Sequence, residues 1–522
     1  MNKSLITLAL ILVPLLQAIA ADPPSIHPYE SNSGFEPFNL IDEHVFALLN
    51  ERGITPANLC SDEVFIRRVY LDVTGTLPEP AAVRNFLRSV SPNKRASLIE
   101  TLLDQEQFAD YWALKWCDLL RVKAEFPINL WPNAVQAYHR WIHDAIRDNK
   151  PYDLFVRELL TSSGSNFRVP PVNFYRAIQG QDPSAITAAV ALTFMGTRIE
   201  DWLPIRCTGM QAFFSRVAFK RTAEWKEEIV YLDPVPTEAL EARFPDGTAV
   251  TIQPGTDPRV IFADWLITEN NPWFARNIAN RVWAWLMGRG IIDPADDIKP
   301  KNPAANPELL ACLEAELIGS GYDLRHLYRL ILNSRTYQQS SIPRSDHRDA
   351  EALFAHYIVR QLDAEVLIDA LCWISGSRES YSSPIPEPFT YIPEEHRTVN
   401  LADGSITSQF LEMFGRPARD TGLESERNSR PTDAQRLHLL NSTHIQQKIE
   451  RSQRLRQIVQ RSKGKPQRVV NSLYLTILSR YPTAAELAAA QGYAREAKVN
   501  GKQAVNDLVW ALINSKEFLY RH

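Results

Sequence analysis

Apolar residues recur at three- and four-residue spacing from about residue 41 to residue 221, which predicts a succession of short helices over 41–52, 61–72, 79–87, 93–103, 108–120, 133–147, 152–160 and 184–196. Ser61-Asp62-Glu63 and Asn93 stand just before two of these runs and offer side-chain oxygens as N-caps. Gly75-Thr76-Leu77-Pro78 and Asn149-Lys150-Pro151 separate neighbouring helices. The pattern changes near Glu224. Val230-Tyr231-Leu232 reads as a strand, and Glu241-Ala242-Arg243-Phe244 and Ala249-Val250-Thr251-Ile252 flank Pro245-Asp246-Gly247 as a hairpin. Helical periodicity resumes near Asp257-Pro258-Arg259 and runs through Trp265, Trp273, Trp283 and Trp285 to Tyr337. Residues 376–404 carry Pro384, Pro386, Pro388 and Pro393 and read as a long loop, after which helices return over 431–445 and from 469 to the end. There is no regular repeat, which argues against a solenoid. The expected fold is mainly α: a helical domain over 41–223 and a second over 257–522, joined by a short β insertion over 224–256.

The first residues are a separate case. Met1-Asn2-Lys3, the apolar run from Leu5 to Leu16 and Ala18-Ile19-Ala20 follow the charged, apolar, small-residue order of a cleavable signal peptide over 1–20. The run is about a dozen residues, short of the roughly 20 that a spanning helix needs. Residues 21–40 form a polar linker. The chain is therefore expected to be exported, periplasmic or secreted, with no transmembrane span after signal cleavage.

Composition narrows the partners. The 522 residues carry 57 Lys and Arg against 61 Asp and Glu, so no global field recruits nucleic acid, and no nucleic-acid partner is expected. The 12 Trp lack an accompanying basic stripe and point to core and interface burial. Cys60, Cys117, Cys207, Cys312 and Cys372 are widely spaced, with no Cys-x-x-Cys among them, and read as small buried hydrophobes.

Four groups could carry chemistry. His139 and His143 are four apart in a predicted helix and could face one metal, but no third ligand can be named, so no metal is assigned. Asp293, Asp296 and Asp297 fall in a loop after a Gly-rich turn. Asp293 and Asp297 are candidates for an acid and base, against the commoner role of loop Asp as turn former. Arg416, Arg419 and Arg427 could clamp a sulfate or carboxylate, against internal pairing with Asp420, Glu424 and Glu426. His438 and His444 flank a helix end, where capping is the simpler role. P-loop, dinucleotide and Gly-x-Ser-x-Gly patterns are missing.

Several stretches resemble the planctomycete-type cytochrome-C-like two-domain family of unknown function. The block from Ser61 to Pro78, Phe108-Ala109-Asp110-Tyr111-Trp112-Ala113-Leu114-Lys115-Trp116 and Asn149-Lys150-Pro151-Tyr152-Asp153 are similar to its first domain. Asn271-Pro272-Trp273-Phe274-Ala275-Arg276, the block from Gly288 to Pro294, Asn333-Ser334-Arg335-Thr336-Tyr337 and Phe414-Gly415-Arg416-Pro417-Ala418-Arg419 are similar to its second. The resemblance implies an exported protein, a protein partner encoded nearby and a part in polysaccharide use. Many relatives resemble c-type cytochromes through Cys-x-x-Cys-His. Here the corresponding stretch after Ile199 is Glu200-Asp201-Trp202-Leu203-Pro204-Ile205-Arg206-Cys207, and Leu423-Glu424-Ser425-Glu426-Arg427 stands where relatives show Cys-Glu-Cys-Glu-Arg. Covalent haem needs two thiols and an axial His, so neither haem c nor another cofactor is expected. The favoured reading is an accessory or binding protein of an extracytoplasmic polysaccharide-utilisation assembly. The alternatives are a carboxylate-dependent glycan hydrolase and an electron-transfer protein.

Overall fold

The computed structural model describes residues 29–31, 36–235, 238–387, 390–393, 395–428, 430–496 and 500–522. The stretch expected to be a signal peptide and most of the expected polar linker lie outside them. The described chain is mainly helical with small sheets, and none of its helices is long and apolar enough to cross a membrane.

Local sequence accounts for most helix boundaries. The helix Asp62–Val73 starts where Ser61 Oγ accepts the Val64 N–H at 3.3 Å. Asn93 departs from expectation: with φ −99° and ψ 12° its side chain caps nothing, and the helix Lys94–Leu103 is anchored instead by Lys94 Nζ on Asp62 at 2.5 Å. The β region is also larger than its sequence pattern suggests. Glu228–Leu232 pairs antiparallel with Val217–Arg221 on one side and with Gly164–Ser165 on the other, so the three-stranded sheet starts before residue 224 and reaches back into the first helical run. Val217–Arg221 follows directly on the aromatic block Ala212–Phe214 and has no turn signal of its own. The expected hairpin forms from Leu240–Arg243 and Ala249–Ile252, with Arg243 opposite Ala249.

The two helical runs share one core. Buried apolar side chains form a continuous cluster from Ile41 to Phe518. Helices Leu40–Glu51 and Pro307–Gly319 pack together, as do Pro183–Met195 and Phe274–Met287, and Pro80–Arg88 and Pro466–Ile477. All five cysteines are free, and Cys60 and Cys117 are buried.

Charged residues hold this junction from inside. Arg67 donates to the carbonyls of Ile477 (2.8 Å) and Phe518 (3.0 Å), and Arg68 to those of Tyr337, Gln339 and His522. Asp72, fully buried, accepts from Tyr337 Oη (2.8 Å), Tyr357 Oη (3.0 Å) and Arg360 Nη2 (3.0 Å). The helix Glu106–Leu119 contributes Tyr111 and Lys115, which meet Arg521 on Asp363 at 2.9–3.0 Å. Asp118 on the same helix takes Arg419 Nε at 2.9 Å and Arg427 Nη2 at 2.7 Å, and Arg427 continues to Glu365 at 2.7 Å. Burial works against ionising Asp363, yet Lys115, Arg521 and Arg427 hold its carboxyl well below the usual range.

Removing one partner of such a set strands a buried charge. Arg427→Ala is expected to destabilise the fold by about 3–5 kcal/mol. Arg430→Ala, at an exposed arginine three residues on, should stay within about 0.5 kcal/mol. Urea unfolding midpoints of the two variants measure the contrast.

Candidate ligand-binding cleft

The cleft begins where the helix Pro183–Met195 stops. Gly196 ends it at φ +59°, and a Cβ there would come within 2.5 Å of Asn277 Oδ1, so the chain turns against the second helical run with no room for a side chain. Thr197 and Arg198 follow, then the single turn Ile199–Asp201, Trp202 and the helix Pro204–Gln211. The opposite wall is the segment 292–304, tied across by Ile298 N–H on Gly196 O at 2.8 Å. Arg281, fully buried, braces both walls. It donates to Thr193 O at 2.7 Å and to Asp296 Oδ1 at 2.5 Å, and the second oxygen of Asp296 accepts the Glu424 N–H at 2.6 Å.

Two chambers open on either side of this seam. One, of about 750 Å³, has an apolar wall from Ala185, Ala189 and Leu192 and a polar end at Arg121, Gln179 and Thr421. The other, of about 970 Å³, is lined by Trp202, Arg206, Trp273, Arg276 and Lys301 with a proline-rich rim. Arg198, Asp201, Asp297 and Lys299 line both. Lys299 Nζ forms the bar between the chambers, 2.9 Å from Asp297 and 3.3 Å from Asp201.

The arrangement around Arg206 is the most suggestive chemistry in the larger chamber. Its guanidinium carbon lies 3.9 Å from the ring centre of Trp202 and 5.3 Å from that of Trp273. None of its guanidinium N–H groups has a hydrogen-bond partner among the described residues, and Nε is buried without one. Stacking has fixed a planar donor fork and left its donors for something else. Sequence reasoning missed this site. The Trp202–Arg206 spacing of four across a helix start was the available signal, but Trp273 is 67 positions further on.

The residues singled out from sequence are dispersed. Asp297 lines both chambers, whereas Asp293 points to Arg289 at 3.6 Å and lines neither. Arg416, Arg419 and Arg427 have side chains 3%, 0% and 9% exposed and belong to the internal junction, so the anticipated anion clamp is turned inward, where Asp118 and Glu365 take its donors. His438 contacts His444 at 3.3 Å, and His444 contacts Glu379 at 3.0 Å, a local polar chain beside Phe410.

His139 and His143 stack with ring centres 6.2 Å apart but sit in opposite environments. The hydrogen bond to Asp110 raises the pKa of His143, while burial, reinforced by Arg419, pushes that of His139 down to about 3. Among the described residues no group of three His, Cys, Asp or Glu is placed to hold a metal ion.

The fold and cleft define a mainly helical protein with an aromatic, arginine-bearing groove between two interlocked helical runs. Residues 40–200 match PSCyt2, a protein of unknown function (DUF1549), and residues 258–494 match PSD1, a protein of unknown function (DUF1553). The chain belongs to the family that joins these two domains. No curated protein and no solved structure matches it. Ile199, Glu200, Asp201 and Leu423 all line the 750 Å³ space, and Cys207 directs its thiol to Ile199 O at 3.7 Å.

The His139 environment gives a pH prediction. Its folded pKa is depressed, so its neutral form supports the fold above pH 6.5 and that support is lost as pH falls toward 3. Between pH 6.5 and about 5, where most carboxylates stay ionised, His139→Gln is expected to flatten the decline of unfolding free energy with acidification. Urea titrations at several pH values check the slope.

Proposed function

We propose that this protein is an exported, non-enzymatic binding component that holds glycan chains for an extracytoplasmic polysaccharide-utilisation assembly, working without covalent haem. The observation that carries the reading is the Trp202–Arg206–Trp273 stack in a 970 Å³ cleft. Flat aromatic faces take the C–H faces of sugar rings, and unpartnered guanidinium donors take their oxygens. The export signal and the family resemblance support the setting and the nearby protein partner.

The carboxylates favour binding over hydrolysis. Glycoside cleavage asks for a free acid and base across one bond. Asp297 and Asp201 are both held by Lys299, and Asp293 lies off the cleft against Arg289.

Affinity electrophoresis of the mature chain through gels carrying different polysaccharides tests the proposal. Retardation is expected in at least one gel, and Trp202→Ala should weaken it by about 1 kcal/mol, roughly fivefold. New reducing ends that vanish in Asp297→Asn would transfer the assignment to a hydrolase.

A further inference from the structure

The charges of the two chambers are unequally satisfied. Asp201 and Asp297 share Lys299, which offsets one of their two charges, and Asp420 is paired with Lys123 at 2.6 Å. Glu200, on the exposed rim, has no ionic partner among the described residues, and Arg276 is taken by Glu314 at 2.7 Å. Against Glu200 and the one charge that Lys299 leaves on the Asp201–Asp297 pair stand four lining cations without an ion pair among the described residues: Arg121, Arg198, Arg206 and Lys301. The whole chain has a net charge of −4, so this positive excess is local.

Arg121 is the least expected of these cations. It lines the smaller chamber, is only 6% exposed and has a backbone φ of 58°, outside the usual range for a branched or long side chain. Its Nε donates to Thr421 O at 3.0 Å, but Nη1 is buried with no partner. Burying a guanidinium that makes no ion pair costs several kcal/mol in principle, a cost that the more distant carboxylates of Glu426 and Asp296 reduce and that an arriving anion offsets. Arg206, half-buried and stacked on tryptophan, is likewise without an ion pair in the larger chamber. The two sites lie on opposite sides of the wall formed by Arg198 and the Lys299 bar.

Building on the glycan reading above, we infer that the ligand is an anionic glycan bearing carboxylate or sulfate groups on at least two residues. One anionic group enters the larger chamber against Arg206, and another enters the smaller chamber against Arg121 and Arg198. The sugar rings lie over Trp202 and Trp273. The bar of Lys299 with its two aspartates spaces the anionic groups, so a chain that carries charge at both ends of this span is held twice, with the second contact made intramolecular by the first.

The test compares polygalacturonate (carboxylate), dextran sulfate (sulfate ester) and neutral dextran by calorimetry on the mature protein at low and at high salt. At least one anionic glycan is expected to bind about tenfold or more tighter than dextran, with affinity falling as salt rises. Arg206→Gln and Arg198→Gln should each weaken that binding roughly fivefold or more and flatten its dependence on salt. Arg121→Gln is expected to do the same, and because Arg121 is buried its circular dichroism is compared first; Arg198, exposed, tests the same chamber without that risk. Which anionic polymer binds separates carboxylate from sulfate. Dextran bound as tightly as either anionic polymer would overturn the inference and leave the glycan reading standing. Inorganic polyphosphate bound as tightly as the anionic glycans, with Trp202→Ala without effect, would overturn the glycan reading and leave an anion clamp. Binding of none of these probes would overturn both.

Discussion

A charge moved from water into a protein interior must find its counter-charge there, and in this molecule the counter-charges come from distant parts of the chain. Asp72, Lys115 and Asp118 belong to the first helical run, while Arg360, Asp363, Glu365, Arg419, Arg427 and Arg521 belong to the second. Neither run can bury its share alone without stranding ions, so each completes the other. The gross attraction is largely spent on desolvation, and the gain lies in register: one docking brings all of these ion pairs together, and displaced dockings break several. The terminal Arg521 and His522 are drawn into the same arrangement against Tyr111 and Arg68, which closes the chain on itself.

The cleft inherits its rigidity from that arrangement. Arg281 and Asp296 link the end of the helix Pro183–Met195 to the 292–304 wall, and the Glu424 N–H on Asp296 links both to the stretch that also supplies Arg427. Walls braced by buried hydrogen bonds hold Trp202, Arg206 and Trp273 at a fixed separation, so less ordering remains to be done when a ligand arrives. Interior and cleft also differ in how charge is treated. Inside, the carboxylates are matched by cations while Arg67 and Arg68 donate to backbone carbonyls; at the chambers, guanidiniums are left without an ion pair.

The stretches that carry the family resemblance have structural jobs that can be named. Ser61 to Pro78 contains Arg67, Arg68 and Asp72, the block from Phe108 contains Tyr111 and Lys115, and the block from Phe414 contains Arg416 and Arg419. All of these point into the junction.

Helical class, most helix positions, the 240–252 hairpin and the family were legible along the chain, because each rests on local periodicity, capping and turn chemistry over a few neighbouring residues. The strand Val217–Arg221 was not, since its partner Glu228–Leu232 is itself paired to Gly164–Ser165, more than sixty positions back. The role of Arg416, Arg419 and Arg427 could be framed as a choice between external clamp and internal pairing, and the sequence could not decide it, because the deciding carboxylates, Asp118 and Glu365, lie on other elements. The ligand cleft was further out of reach: Trp202, Arg206, Trp273 and Arg121 are spread over some 150 positions and acquire meaning only when folding places them around the same cleft. What the sequence determined is what nearest neighbours control. Which charges are paid off inside and which are left facing solvent is a property of three-dimensional proximity, and only the tertiary structure decided it.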